Sequence, residues 1–162
     1  MKTVLQNDPP TRSDHVGCLN TLNALESYRT TRAGTAEARV TFAQSQSGPF
    51  LQEVLRRSPG RGARDELEHA ANALSGCATF SIGWSDGMTG TEHVSVLGPA
   101  GIGDVSWHAT ITVTTDTFTV QENLVLVVVG TTLVILSEAA SPTAPARSRT
   151  LSLARTAAAR LR

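Results

Sequence analysis

From Val105 to Thr114 apolar and polar side chains alternate without a break. Val105, Trp107, Ala109, Ile111 and Val113 share one face, and Ser106, His108, Thr110, Thr112 and Thr114 share the other. A period of two sustained over so many residues predicts a strand with one packed face. A turn near Asp116 returns the chain through Phe118 to Val129, and Gly130-Thr131 supplies a second hairpin into Leu133 to Ser137. Gly at the first turn position suits such a two-residue connection. The stretch from Gly103 to Ala139 therefore reads as three consecutive antiparallel strands. Leu124 to Val129 is apolar at every position, which fits a central strand covered on both sides, or one with a side left for a ligand or a partner chain.

The period also changes to two at Phe80, Ile82 and Trp84, ahead of Asp86-Gly87. That dipeptide favours a tight hairpin because the turn needs positive φ, and it predicts pairing with Glu92 to Leu97. Val40 and Phe42 alternate within Thr35 to Gln46, a further strand that ends at Ser47, Gly48 and Pro49.

Helical spacing appears elsewhere. Cys18, Leu22 and Leu25, with Leu19 beside them, form a stripe that Ser13 can cap. Phe50 with Val54 and Leu51 with Leu55 suggest a short helix, broken by Ser58-Pro-Gly-Arg-Gly62. Leu67, Ala70, Ala71 and Leu74 mark an amphipathic helix from Asp65 to Gly76, with Cys77 just beyond it. After the Pro- and Ser-rich loop from Ser141 to Ser148, Leu151, Ala154, Ala158 and Leu161 line a terminal helix from about Arg149. Strand runs flanked by helices predict one α+β domain over residues 1–162. Its architecture is expected to be a mainly antiparallel sheet of five to six strands with helices packed on one face.

Composition narrows the partners more than the chemistry. The 162 residues are 40% hydrophobic and 17% charged, with 14 basic residues against 14 acidic ones. That balance disfavours disorder and gives no footprint for nucleic acid or an anionic membrane. No run approaches the roughly 18 apolar residues of a transmembrane helix, and MKTVLQNDPP lacks the apolar core of a signal peptide. If the protein is exported or anchored at a membrane, a segment ahead of Met1 must direct it. Cys18 and Cys77 are the only cysteines. An even, widely spaced pair suits one disulfide in an oxidising compartment, and two buried thiols are the alternative, with a cytoplasmic location if they are unbonded.

No catalytic or metal signature emerges. His15, His69, His93 and His108 lack ligand spacing, so no metal or cofactor is expected. GxSxG, HExxH, Walker A and GxGxxG motifs are absent, and Gly98, Gly101 and Gly103 read as a flexible loop rather than a phosphate cradle. Arg56, Arg57, Arg61 and Arg64 precede Asp65, Glu66 and Glu68, which reads as a solvated basic turn. His108 lies behind Asp104 on the polar side of its strand. It would share a cleft with His93 if their strands pair, although solvated sheet positions are the simpler explanation of both. Trp84 and Trp107 point inward, as core or as a stacking platform for a ligand. Glu122 falls in phase with Phe118, Val120, Leu124 and Leu126. Strict alternation buries it, unless a bulge at Glu122-Asn123 resets the phase.

Several of these pieces together resemble the extracellular sensor domain of actinobacterial receptor Ser/Thr kinases of the PknH type, and related actinobacterial lipoprotein domains. They are the early helix bearing Cys18, Cys77 after a Leu/Ala helix, Gly103-Asp104 before the long hairpin, the Val129-Gly130 turn and the Leu-Ala-Arg terminal helix. The resemblance implies an exported, disulfide-bonded, non-catalytic module. Its cleft between sheet and helices would bind an unidentified small molecule or cell-envelope ligand. Two departures stand out: those domains generally carry a second disulfide, and they often have an arginine where this chain has Val127 and Val128. Both weaken any carry-over of a polar ligand. The candidate cleft residues are Asp104, Trp107, His108, His93 and Glu122. Two other readings compete with this one. One is a small hydrolase or isomerase in which Asp104, His108 and Glu122 converge, and the other is a structural protein that self-associates through Leu124 to Val129.

Overall fold

The computed structural model describes residues 8–26 and 34–162. The N-terminal stretch whose composition argues against a signal peptide lies mostly outside them. The elements in chain order are β1 (Arg12–Ser13), α1 (Val16–Glu26), β2 (Ala36–Ala43), β3 (Phe50–Arg57), α2 (Gly62–Leu74) and β4 (Thr79–Gly83). There follow β5 (Thr89–Gly98), β6 (Val105–Thr115), β7 (Thr119–Val129), β8 (Thr132–Ala140) and α3 (Arg147–Ala159). All strands join one sheet in the order β1-β4-β5-β6-β7-β8-β3-β2, and every neighbouring pair is antiparallel.

The α+β class stands, but the sheet has eight strands rather than five or six. One extra strand is β3, where the sequence suggests a helix. Over so short a window, Phe50/Val54 and Leu51/Leu55 fit an i, i+4 row as well as a period of two. Pairing decides the outcome, because β3 bonds β2 along one edge and β8 along the other. The other extra strand, β1, pairs only Arg12 with Gly83 and Ser13 with Ile82, too short to leave a periodic signal.

Helices cover both faces rather than one. Leu124, Leu126 and Val128 of β7, with Leu133 and Ile135 of β8, pack under α1 and α2. Val125, Val127 and Val129, with Val134 and Leu136, pack under α3 through Ala154, Ala157 and Ala158. The continuous apolar run of β7 is thus a central strand sandwiched between two cores, as such runs require. It leaves no open surface there for self-association.

Each layer is pinned by specific polar contacts. Cys18 of α1 and Cys77 after α2 form a disulfide with Cα atoms 5.7 Å apart. Arg56 is 4% exposed and donates to Glu37 of β2 at 2.8 Å, to Glu66 of α2 at 2.6 Å and to the Ala24 carbonyl near the end of α1 at 2.8 Å. The expected solvated basic turn therefore holds a buried cation that joins two helices to the sheet edge. On the other face the fully buried Glu138 accepts from Thr150 Oγ1 at 2.7 Å and pairs with Arg149 at 3.2 Å, while Asn123 donates to Thr150 at 2.9 Å. That network supplies the partners a buried carboxylate needs.

Ser13 Oγ accepts the His15 amide at 2.9 Å on the turn that enters α1. Beside it the Ser81 amide donates to Asp14 at 2.8 Å, and this bond holds the Asp14 carboxyl below its ordinary range.

Candidate functional site

The C-terminal half of α1 stands away from one end of the sheet, and a cavity of about 590 Å3 lies beneath it. Leu22, Asn23 and Glu26 of α1 form its roof. Asn23 Nδ2 donates to the Pro10 carbonyl at 3.0 Å, which draws Asp8, Pro9 and Pro10 across the rim. The floor crosses the sheet from Ile82 of β4 and Glu92 of β5, through Val113 of β6 and Glu122 of β7, to Ser137 of β8, Gln52 of β3 and Thr41 of β2. Trp84, Phe50 and Phe118 add aromatic walls. All these strand residues face the α1 side because each strand alternates in register with its neighbours.

Three carboxyl groups converge on this largely apolar space. Glu26 follows Leu22 by four residues and so lies on the same helix row. Glu92 alternates with Val94 and lies opposite Val113. Glu122 lies opposite Ile111 on one side and Ala139 on the other, in unbroken register. The bulge that would have turned Glu122 outward is absent; the irregularity in this part of the sheet is between Val96 and Gly98 of β5.

Burial dominates the electrostatics. Removal from water pushes the Glu92 carboxyl up to about 8, with the charge of Glu26 adding to the effect. Glu122 is raised well above its ordinary value by burial, by the charge of Glu26, by its hydrogen bond to Glu26 and by the charge of Glu92. Burial also raises Glu26, but the hydrogen bond with Glu122 and the charge of Arg39 oppose it. A hydrogen bond between two carboxyls needs a proton on one of them, so Glu26 and Glu122 titrate as a pair. The Arg39 guanidinium donates to the Glu26 carbonyl and lies 3.5 Å from Glu37. Glu92 is 7% exposed and makes no hydrogen bond or ion pair with a described residue.

The residues singled out in the sequence do not form one group. Glu122 lines the cavity. Trp107 is buried in the core beneath α1 and α2, and Trp84 is the tryptophan at the cavity wall. His108 has the opposite parity to Trp107 and faces the α3 side, with its Nδ1 2.9 Å from the Gly98 carbonyl. His93 likewise alternates away from Glu92, and its Nδ1 meets Thr79 Oγ1 at 2.9 Å. Asp104 accepts the Gly130 amide at 2.7 Å, tying the loop before β6 to the β7–β8 turn. Asp104, His108 and Glu122 therefore cannot share one substrate. Glu26, Glu92 and Arg39 escaped notice, although the in-phase positions Leu22-Glu26 and Glu92-Val94 carried the signal.

Among the described residues the fold is an eight-stranded antiparallel sheet braced by one disulfide, with two helices on one face and one on the other. Among solved structures, the extracellular domain of PknH from Mycobacterium tuberculosis resembles it with a TM-score of 0.54 at 10% identity, over 87% of this chain and 91% of that domain. No protein-family model matches the chain, and no curated protein matches it. Among the described residues no helix is long and apolar enough to cross a membrane.

Proposed function

We propose that this protein is an extracytoplasmic, non-catalytic sensor or binding module whose ligand enters the cavity between α1 and the sheet. The cavity itself carries the reading. Its 590 Å3 is the size of a small-molecule site, and it is mostly apolar with a few convergent polar groups. The Cys18–Cys77 bond supports placement in an oxidising compartment, where such bonds persist. Likeness to a kinase's extracellular domain supports a signalling context for the fold. In this reading α1 reports occupancy. It is the cavity roof; its N-terminal end is tied through Cys18 to the end of α2, and its C-terminal end is tied through Arg56 to the sheet edge.

Crystals soaked with small fragments of cationic, neutral and anionic character test the proposal. Fragments are expected to collect beneath Leu22 and Glu26. Fragments of every charge class that leave this cavity empty, at concentrations that populate other surface sites, would overturn it.

A further inference from the structure

We propose that the cavity beneath α1 receives a small organic cation, its ammonium or guanidinium group held among Glu26, Glu92 and Glu122 and its apolar body against Trp84 and Phe118. This rests on the binding-module reading and narrows it to one ligand class.

A carboxyl group that is more than nine-tenths buried normally has a hydrogen bond or a countercharge, because desolvation is otherwise uncompensated. Glu92 has neither among the described residues, yet it is part of the cavity wall. Glu122 Oε1 is a second shielded oxygen without a hydrogen-bond partner. The other buried acid of the sheet shows the contrast, since Glu138 has both Thr150 and Arg149.

Charge balance gives the sign of the missing partner. Among described residues the wall carries Asp8, Glu26, Glu92 and Glu122 against Arg39, whose guanidinium is already directed at Glu37 and the Glu26 carbonyl. An entering cation gains three acceptors in a poorly solvated space. An anion gains no countercharge from these acids, whether they are ionised or protonated. The aromatic walls favour the same class, because ring faces attract ammonium and guanidinium groups. The raised carboxyl groups add a signature. They hold protons when the cavity is empty, so a bound cation expels them into solvent.

Isothermal calorimetry of the intact chain at pH 7, in two buffers of different ionisation enthalpy, provides the test. The probes are benzylamine, agmatine and choline, set against neutral benzyl alcohol and anionic benzoate. At least one cation should saturate one site more tightly than either control, with a buffer-dependent heat that reports proton release. Glu92→Gln should weaken it about tenfold or more, as should Glu122→Gln, with each variant's melting temperature confirming that it folds. Tighter binding of alcohol or benzoate, cation binding undiminished in both variants, or binding without proton release overturns the cation proposal and leaves the binding module standing. If none of the five probes binds, both readings fall.

Discussion

Glu92 places an acid where the folded chain offers it nothing to bond, and its effect on stability can be worked out. In the unfolded chain this carboxyl titrates near its ordinary value of 4.5, whereas burial moves it to about 8 in the fold. Below pH 4.5 both states hold the proton and no penalty arises. As the pH rises towards 8 the unfolded chain ionises first, and the folded state loses stability until its own proton leaves. Glu26, Glu122, Asp8 and Arg39 face the same cavity, and Glu26 and Glu122 shift in the same direction. Chemical denaturation at a series of pH values should show stability falling between about pH 5 and pH 9 through these acids. Glu92→Gln should recover on the order of 5 kcal/mol at the alkaline end. Gly103 makes a different demand at the scale of one residue. Its φ is +64°, and a Cβ there would meet Val127 Cγ1 at 2.6 Å and the Val128 carbonyl at 2.7 Å. Gly103→Ala should therefore cost about 2–3 kcal/mol, from backbone strain and close contact together, and a lowered denaturation midpoint would register it. Gly103-Asp104 and Val129-Gly130 stood out in the sequence as separate pieces. In the fold they form one latch, with Gly103 against β7 and Asp104 on the Gly130 amide.

Among the elements, α1 depends most on a single covalent bond. The helix has four buried residues, Cys18, Leu19, Leu22 and Leu25, while its last residue, Glu26, is at the cavity. The Cys18–Cys77 bond closes a loop of 59 residues, for which the chain-entropy argument gives about 4 kcal/mol. Replacing both cysteines with serine should lower stability by that order and loosen the cavity roof. Hydrogen exchange should then show α1 amides losing protection before those of β7. The elements also show which parts of the fold could be read in advance. The hairpins β4–β5, β6–β7 and β7–β8 announced themselves through alternation and turn residues, because both signals are local. β3 did not, since eight residues with two apolar rows satisfy both periods and the deciding partners, β2 and β8, lie far along the chain. The second helix-covered face was foreshadowed by β7's unbroken apolar run, but nothing local said which helix would cover which side. The site was harder still. Strict alternation turns Glu122 inward, but the cost of a buried acid argued for a bulge there, and a histidine draws more attention than a glutamate. Strand parity sends His93 and His108 to the face opposite Glu92 and Glu122, and only the assembled register brings Glu26, Glu92 and Glu122 together.

At the scale of the whole molecule, the two faces of the sheet are built differently. The α3 side is closed, with Glu138 bonded to Thr150 and paired with Arg149, and Asn123 donating to Thr150, beneath the helix. The α1 side is packed under α2 but opens at one end into a cavity where the buried Glu92 has no countercharge among the described residues. In the proposed binding role, the closed face stabilises the domain, and a response to ligand would pass through α1, its disulfide and the Arg56 contacts. The central claim is that these carboxyl groups are held protonated in the empty cavity, poised for a ligand of opposite charge. Carbon-13 NMR titration of the glutamate side-chain carboxyls in the ligand-free protein tests this most directly. The account predicts a resonance with a midpoint near pH 8 that disappears in Glu92→Gln. Glutamates that all titrate between about pH 4 and 5, the ordinary range, would contradict it.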